Sequence, residues 1–156
     1  MSNLGFTDNT VEAELRDHGV YASVTKGTSM RPLFKTNRDV IILVSADGDL
    51  RKYDVVLYKN NSGKYVLHRI VEVLPDKYVI RGDNTFVNEY VSKDRIIAVL
   101  TEFNRKGKKK SVNDIGYRFY SRFWCGIYPI RFLSHKAFTV MYRAFRFVFK
   151  KKTMSK

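Results

Sequence analysis

The chain has a single cysteine, Cys125, so no internal disulfide can form and the fold does not depend on an oxidising compartment. That cysteine and three histidines show no zinc-ligand spacing, so no metal and no cofactor is expected. No apolar run approaches the roughly 18 residues that a membrane-spanning helix needs. From Met1 to Asp17 the sequence is polar and carries Asp8, Glu12, Glu14 and Asp17. It lacks a cationic start followed by an apolar stretch, and so does not read as a secretory signal. Acids are almost missing from the last third, where only Asp114 follows Glu102.

That last absence locates the charge. The chain of 156 residues carries a formal net charge of +14. Residues 1–104 hold 14 basic and 14 acidic residues, and residues 105–156 hold 15 basic residues against Asp114. The whole excess therefore sits in the last third, which points to an anionic partner there. A hydrophobic content of 44% is that of an ordinary globular protein, and the length suits one domain with a modest core.

Residues 9–18 predict a short helix, with Asn9 or Thr10 as its cap and Gly19 at its end. From Asp39 onward the pattern turns to short runs rich in Val, Ile, Leu and Tyr. Strands are expected at 39–44, 54–59, 65–74, 77–82 and 95–103, separated by Gly-, Asn- and Pro-containing turns. This spacing argues for a mainly β fold, an antiparallel, barrel-like domain over residues 1–103 with the short helix included. Residues 104–113 (NRKGKKKSVN) read as a mobile basic linker, and 114–156 as a helical, aromatic and basic extension. In a helix over 131–150, Arg131, His135, Lys136, Arg143, Arg146 and Lys150 share an arc of roughly 140°. Leu133, Phe138, Val140, Met141, Ala144, Phe145, Phe147 and Val148 lie opposite, with Phe132, Tyr142 and Phe149 breaking the separation.

A serine hydroxyl becomes a useful nucleophile when a base takes its proton. Histidine is the usual base, and a carboxylate behind the imidazole fixes its tautomer. Ser29 sits in Gly27-Thr28-Ser29-Met30-Arg31-Pro32, a turn that leaves backbone N–H groups able to face an oxyanion. His68 falls in mid-strand, where its ring is held firmly. Asp83, in Arg81-Gly82-Asp83-Asn84, ends the next strand, and a hairpin brings the two towards each other in a register that sequence leaves open. Ser29 as a plain turn serine, His68 as a core histidine and Asp83 as an Asx turn are the competing readings. His18 and His135 read as solvent-facing, and Cys125 as a buried thiol.

Here the chain resembles the signal peptidase I family, in its histidine-based branch. GTSMRP matches G-x-S-M-x-P, YDVVLYK matches the strand G-D-V-V-x-Y/F, VLHRIVEV matches the box of the base, and VIRGDN matches K/R-G-D-N. The four boxes occur in family order over roughly residues 20–100. The resemblance implies a serine endopeptidase that cleaves an extended leader or signal peptide. It implies Ser29 as nucleophile, His68 as general base and Asp83 as orienting acid, with small substrate residues before the scissile bond. Three features depart from the family. Gly27 stands where many members have an oxyanion serine, leaving Thr28 and the Ser29 N–H for that task. The second acid usual after Gly-Asp-Asn has only Glu89 and Asp94 as candidates. An anchoring helix ahead of the nucleophile is not seen. A LexA-type self-cleaving regulator is a rival, although it needs a Lys base and a preceding cleavage site. An inactive membrane-surface adaptor is another.

For the basic tail, residues 114–150, the expected partner is an anionic membrane surface, with packing on the β domain as the alternative. Nucleic acid ranks last, because no recognised nucleic-acid module precedes it. The expected location is cytoplasmic or peripheral at a membrane.

Overall fold

The computed structural model describes residues 10–153. The expected capping by Asn9 or Thr10 lies outside the described side chains. A first helix, α1 (Thr10–His18), leads into eight strands: β1 (Val20–Val24), β2 (Val40–Ser45), β3 (Val55–Lys59), β4 (Tyr65–Val73), β5 (Lys77–Arg81), β6 (Glu89–Ser92), β7 (Ile96–Arg105) and β8 (Lys108–Ser111). Two helices follow, α2 (Ile115–Gly126) and α3 (Tyr128–Thr153). The strands form one antiparallel sheet in the order β1-β2-β7-β3-β4-β5-β6, with β8 paired to β7. The sheet is not closed, which corrects the barrel expectation. Among the described residues β1, β6 and β8 each pair on one side only and remain its edges.

The sheet has a core on each face. Strand alternation decides which residues go where. Val55 and Leu57 of β3 join Val11 and Leu15 of α1, Leu33, Phe34, Ile41, Leu43, Leu67 and Phe103 in one cluster. Val56 and Tyr58 of the same strand join Ile70, Tyr78, Ile80 and Val91 in the other. A strand buried on both faces has no polar alternation, which is why Val-Val-Leu-Tyr reads as an unbroken apolar run. Each such fully buried aliphatic side chain contributes about 1.5–3 kcal/mol.

Residues 104–113 are a hairpin end and not a mobile linker. β7 continues to Arg105, turns through Lys106 and Gly107 at φ 54° and 75°, and returns as β8. Paired left-handed residues of this kind make the tight turn whose twist suits a hairpin. The chain divides into two compact units, one running through Arg122 and the second beginning at Phe123. The boundary falls later than the linker expectation, because α2 starts inside the β-sheet unit. The second unit is dominated by α3, where Pro129 sits in the first turn, the place a helix accepts proline. Its described apolar side chains Leu133, Phe138, Val140, Met141 and Phe145 are all exposed. Ala144, Phe147, Val148, Phe149 and Lys150 lie outside the described side chains. Among the described residues no helix is long and apolar enough to cross a membrane.

Candidate functional site

His68 stands on β4 between Leu67 and Arg69, and alternation sends the two polar neighbours to opposite faces of the sheet. His68 shares its face with Ile70. Ile70 pairs with Ile80 on β5, and Ile80 pairs with Glu89 on β6. Register alone therefore carries Glu89 to the imidazole. Its carboxylate Oε1 lies 3.0 Å from His68 Nδ1. The Tyr58 hydroxyl donates to the other oxygen, Oε2, at 2.7 Å and sits 3.4 Å from Nδ1. These hydrogen bonds, that from His68 foremost and that from Tyr58 after it, outweigh partial burial and hold the Glu89 carboxyl below its ordinary range. Burial and the neighbouring Glu89 push the Tyr58 phenol well up, so it stays a neutral donor. An ionised Glu89 fixes the proton on Nδ1 and leaves the lone pair on Nε2.

His68 Nε2 is buried and has no hydrogen-bond partner among the described residues. Such an orphan is uncommon, since most buried polar atoms are paired. It faces Gly82, the residue after β5. A Cβ at Gly82 would lie 2.9 Å from Nε2 and 2.8 Å from the Ser29 carbonyl oxygen. The absence of a side chain at 82 is what lets the serine loop and the imidazole come together. Asn84 completes the approach, its N–H donating to the Ser29 carbonyl at 2.7 Å and its side-chain amide to the Thr28 carbonyl at 3.3 Å.

The serine loop is pinned from beneath. Met30, Leu33 and Phe34 are buried in the core, and Phe34 N–H closes a turn on the Met30 carbonyl at 3.0 Å. Gly27 has φ 77°, a left-handed conformation that suits glycine, and its carbonyl accepts from the Thr36 hydroxyl. Thr28 is exposed and Ser29 half-buried. A dent of about 10 Å³ beside Ser29 is lined by Gly27, Met30, Phe34 and Leu67 among others. It has room for about one water.

Asp83 is not the acid on the imidazole. Two residues beyond Arg81, which pairs with Arg69, it falls on the Arg69 face of the sheet. Its carboxylate forms a two-pronged pair with Arg69, Nε to Oδ1 and Nη2 to Oδ2, each at 2.8 Å. The Tyr120 hydroxyl donates to Oδ2 at 2.9 Å. Arg69 is fully buried, and its Nη1 also donates to the Tyr53 carbonyl, the Tyr117 hydroxyl and Ser121 Oγ. Burial alone would lower the guanidinium pKa, but Asp83 and Tyr117 keep it firmly charged. Asp94, the other acid considered from sequence, lies in a single 3-10 turn after β6. His18 and His135 are exposed as expected, whereas Cys125 is only half-buried.

No protein-family model matches the chain, and no curated protein does.

What the arrangement can do chemically follows from its parts. An imidazole anchored at one nitrogen by a carboxylate, with its other nitrogen bare and next to a serine-bearing turn, can accept a proton and return it. Sequence reasoning passed over Arg69 and Tyr58, and named Glu89 without choosing it. The signal for Glu89 was available in the parity of His68, Ile70 and Ile80, once the hairpin register is known.

Proposed function

We propose that the chain is a serine endopeptidase of the signal peptidase I type, with Ser29 as nucleophile, His68 as general base and Glu89 as the acid that orients it. The observation that carries this reading is the buried, unpartnered Nε2 of His68 facing the Ser29 turn across Gly82. The sequence boxes lend support: Ser29 and His68 come from two of them, Gly82 and Asn84 of a third frame the approach, and Tyr58 of the fourth bonds Glu89, whereas Asp83 lies on the other face.

In this mechanism Ser29 Oγ attacks the scissile carbonyl carbon as His68 Nε2 takes its proton. The imidazolium is stabilised by Glu89 and gives that proton to the departing amine. Water then attacks the Ser29 ester, again deprotonated by Nε2, and frees the carboxylate product. An extended peptide suits open edges of the sheet such as β1 and β6, where a further strand can add. The small dent beside Ser29 suits a small residue before the scissile bond.

A serine-directed acylating probe tests the proposal on the intact chain. Labelling should be lost in Ser29→Ala and in His68→Ala, and the double variant should be little worse than either, because the pair acts as a unit. Wild-type chain that never labels, or Ser29→Ala that still does, would leave the fold as a non-catalytic adaptor.

A further inference from the structure

A second cavity lies beside the start of α2. A cavity of about 340 Å³ opens between the segment Arg51–Asp54, before β3, and the start of α2. Arg51, Lys52, Arg118 and Arg122 line it, with Tyr117 and Ser121. Its one acid, Asp54, already accepts the Arg51 backbone N–H at 2.8 Å. The Lys52 ammonium rests 5.4 Å from the centre of the Tyr53 ring. Tyr117 and Ser121 are fixed from behind by the buried Arg69 guanidinium, so this wall is rigid. Four cations converging on one cavity favour a phosphate, which arginine grips through paired N–H groups.

The neighbouring face of α2 presents exposed apolar side chains. Ile115 is 86% exposed and Phe119 is 70% exposed. On a helical wheel Tyr117, Ser121, Arg118 and Arg122 span one arc, and Ile115 and Phe119 continue it at about 20–60° beyond Arg122. Apolar side chains that project beside a cationic cavity match the boundary between headgroups and acyl chains. A free phosphate has no use for them, and nucleic acid offers a groove or stacked bases instead. Taken by itself, α3 repeats the chemistry, with Leu133, Phe138 and Met141 exposed on a helix that also carries Arg131, Lys136, Arg143 and Arg146.

We propose that the cavity between Arg51–Asp54 and α2 holds the phosphate of an anionic phospholipid, with Ile115 and Phe119 entering the membrane surface beside it. The site shares no residue with Ser29, His68 or Glu89, and stands whether or not the chain is a peptidase. It turns a diffuse basic tail into a defined contact.

Sedimentation of the full chain with vesicles of phosphatidylcholine and phosphatidylglycerol, against phosphatidylcholine alone, tests it. Each basic residue near an anionic surface is worth about fivefold in affinity. Lys52→Glu with Arg118→Glu should therefore weaken partition about tenfold or more. The matched pair Arg16→Glu with Lys64→Glu, exposed elsewhere, should cost less than about threefold. α3 contributes equally to both. The neutral pair Lys52→Gln with Arg118→Gln should show a smaller loss of the same sign, with unchanged circular dichroism and melting. Ile115→Ser with Phe119→Ser should remove the part of binding that survives high salt. Equal losses in the two glutamate pairs would overturn the proposal, as would no binding to anionic vesicles. Full release by inorganic phosphate, with the serine pair binding like wild type, would overturn it in favour of a small-anion site. Tighter binding to a single-stranded oligonucleotide with the same Lys52 and Arg118 dependence would overturn it in favour of nucleic acid.

Discussion

Gly82→Ala puts one methyl group into the narrowest place in the site. The added carbon would sit 2.8 Å from the Ser29 carbonyl oxygen, 2.9 Å from His68 Nε2 and 3.0 Å from Thr85 Cγ2. Ordinary contact begins near 3.4 Å, so Ser29 and His68 must each retreat by about half an ångström. The first of these neighbours is backbone and also accepts the Asn84 N–H, so it cannot swing away as a long side chain does. Overpacking of this kind costs about 1–3 kcal/mol. A chain of this size loses roughly 2–4 °C of melting temperature per kcal/mol. The effect on chemistry should be larger, since a misplacement of about 1 Å can cost about a hundredfold. The expected outcome is a folded protein whose rate of acylation by a serine-directed probe falls about ten- to a hundredfold. Gly116→Ala in α2 is the control. It has no atom within 4 Å of the added carbon, and a helical alanine should stabilise by about 0.5–1 kcal/mol. Labelling of Gly82→Ala at the wild-type rate would refute the idea that the Ser29 turn and the imidazole meet there.

Glu89→Gln keeps the shape and removes the charge behind His68. Probe labelling should fall about 10²- to 10⁴-fold, and Glu89→Asp should recover part of it; an unchanged rate would exclude Glu89 as the orienting acid. Because the folded Glu89 carboxyl is held below its ordinary value of 4.5, its stabilisation is present above that value and is lost as pH falls through the folded one. Acid denaturation should therefore begin below about pH 4.5, and Glu89→Gln should flatten that limb of the stability curve. Asp83→Asn strands a fully buried guanidinium and should destabilise by about 3–5 kcal/mol, read as a melting drop near 10 °C or more. Arg69→Met with Asp83→Leu should be closer to wild type than Asp83→Asn alone; a melting point of Asp83→Asn within about 2 °C of wild type would contradict the pairing. Tyr120→Phe removes one donor to Asp83 and should cost about 1 kcal/mol by thermal melt, with little change in labelling.

The strands that sequence revealed are the ones that build the two cores. β3, β4 and β5 announce themselves because β-branched and aromatic residues crowd where both faces are covered. β6 and β8 escaped notice because an edge or surface strand needs few apolar residues. Lys108–Ser111 in particular is indistinguishable by composition from a solvated linker. Barrel closure was expected from strand spacing, but spacing is silent on whether the first and last strands pair. At the site, the serine turn and His68 were singled out through the resemblance of the four boxes, and the structure brings that turn and the imidazole together across Gly82. The acid was not, because Asp83 and Glu89 are both plausible in the chain and only the face they occupy separates them. One residue of parity, His68 against Arg69, sends one carboxylate to the imidazole and the other to a buried arginine.

The clasp around Arg69 also sets an order of assembly. Asp83 comes 14 positions after Arg69, but the hydroxyls of Tyr117, Tyr120 and Ser121 come 48 to 52 positions after it or 37 after Asp83. As the chain emerges from the ribosome, the sheet through β7 can form before these donors exist, and a partial domain then holds a charge whose hydroxyl partners are still unmade. Domains generally fold as units, N-terminal parts first, and incomplete ones expose what the later segment is meant to cover. The nascent molecule is in this sense unlocked until the first turns of α2 arrive and bring the hydroxyls of Tyr117, Tyr120 and Ser121 to the buried pair.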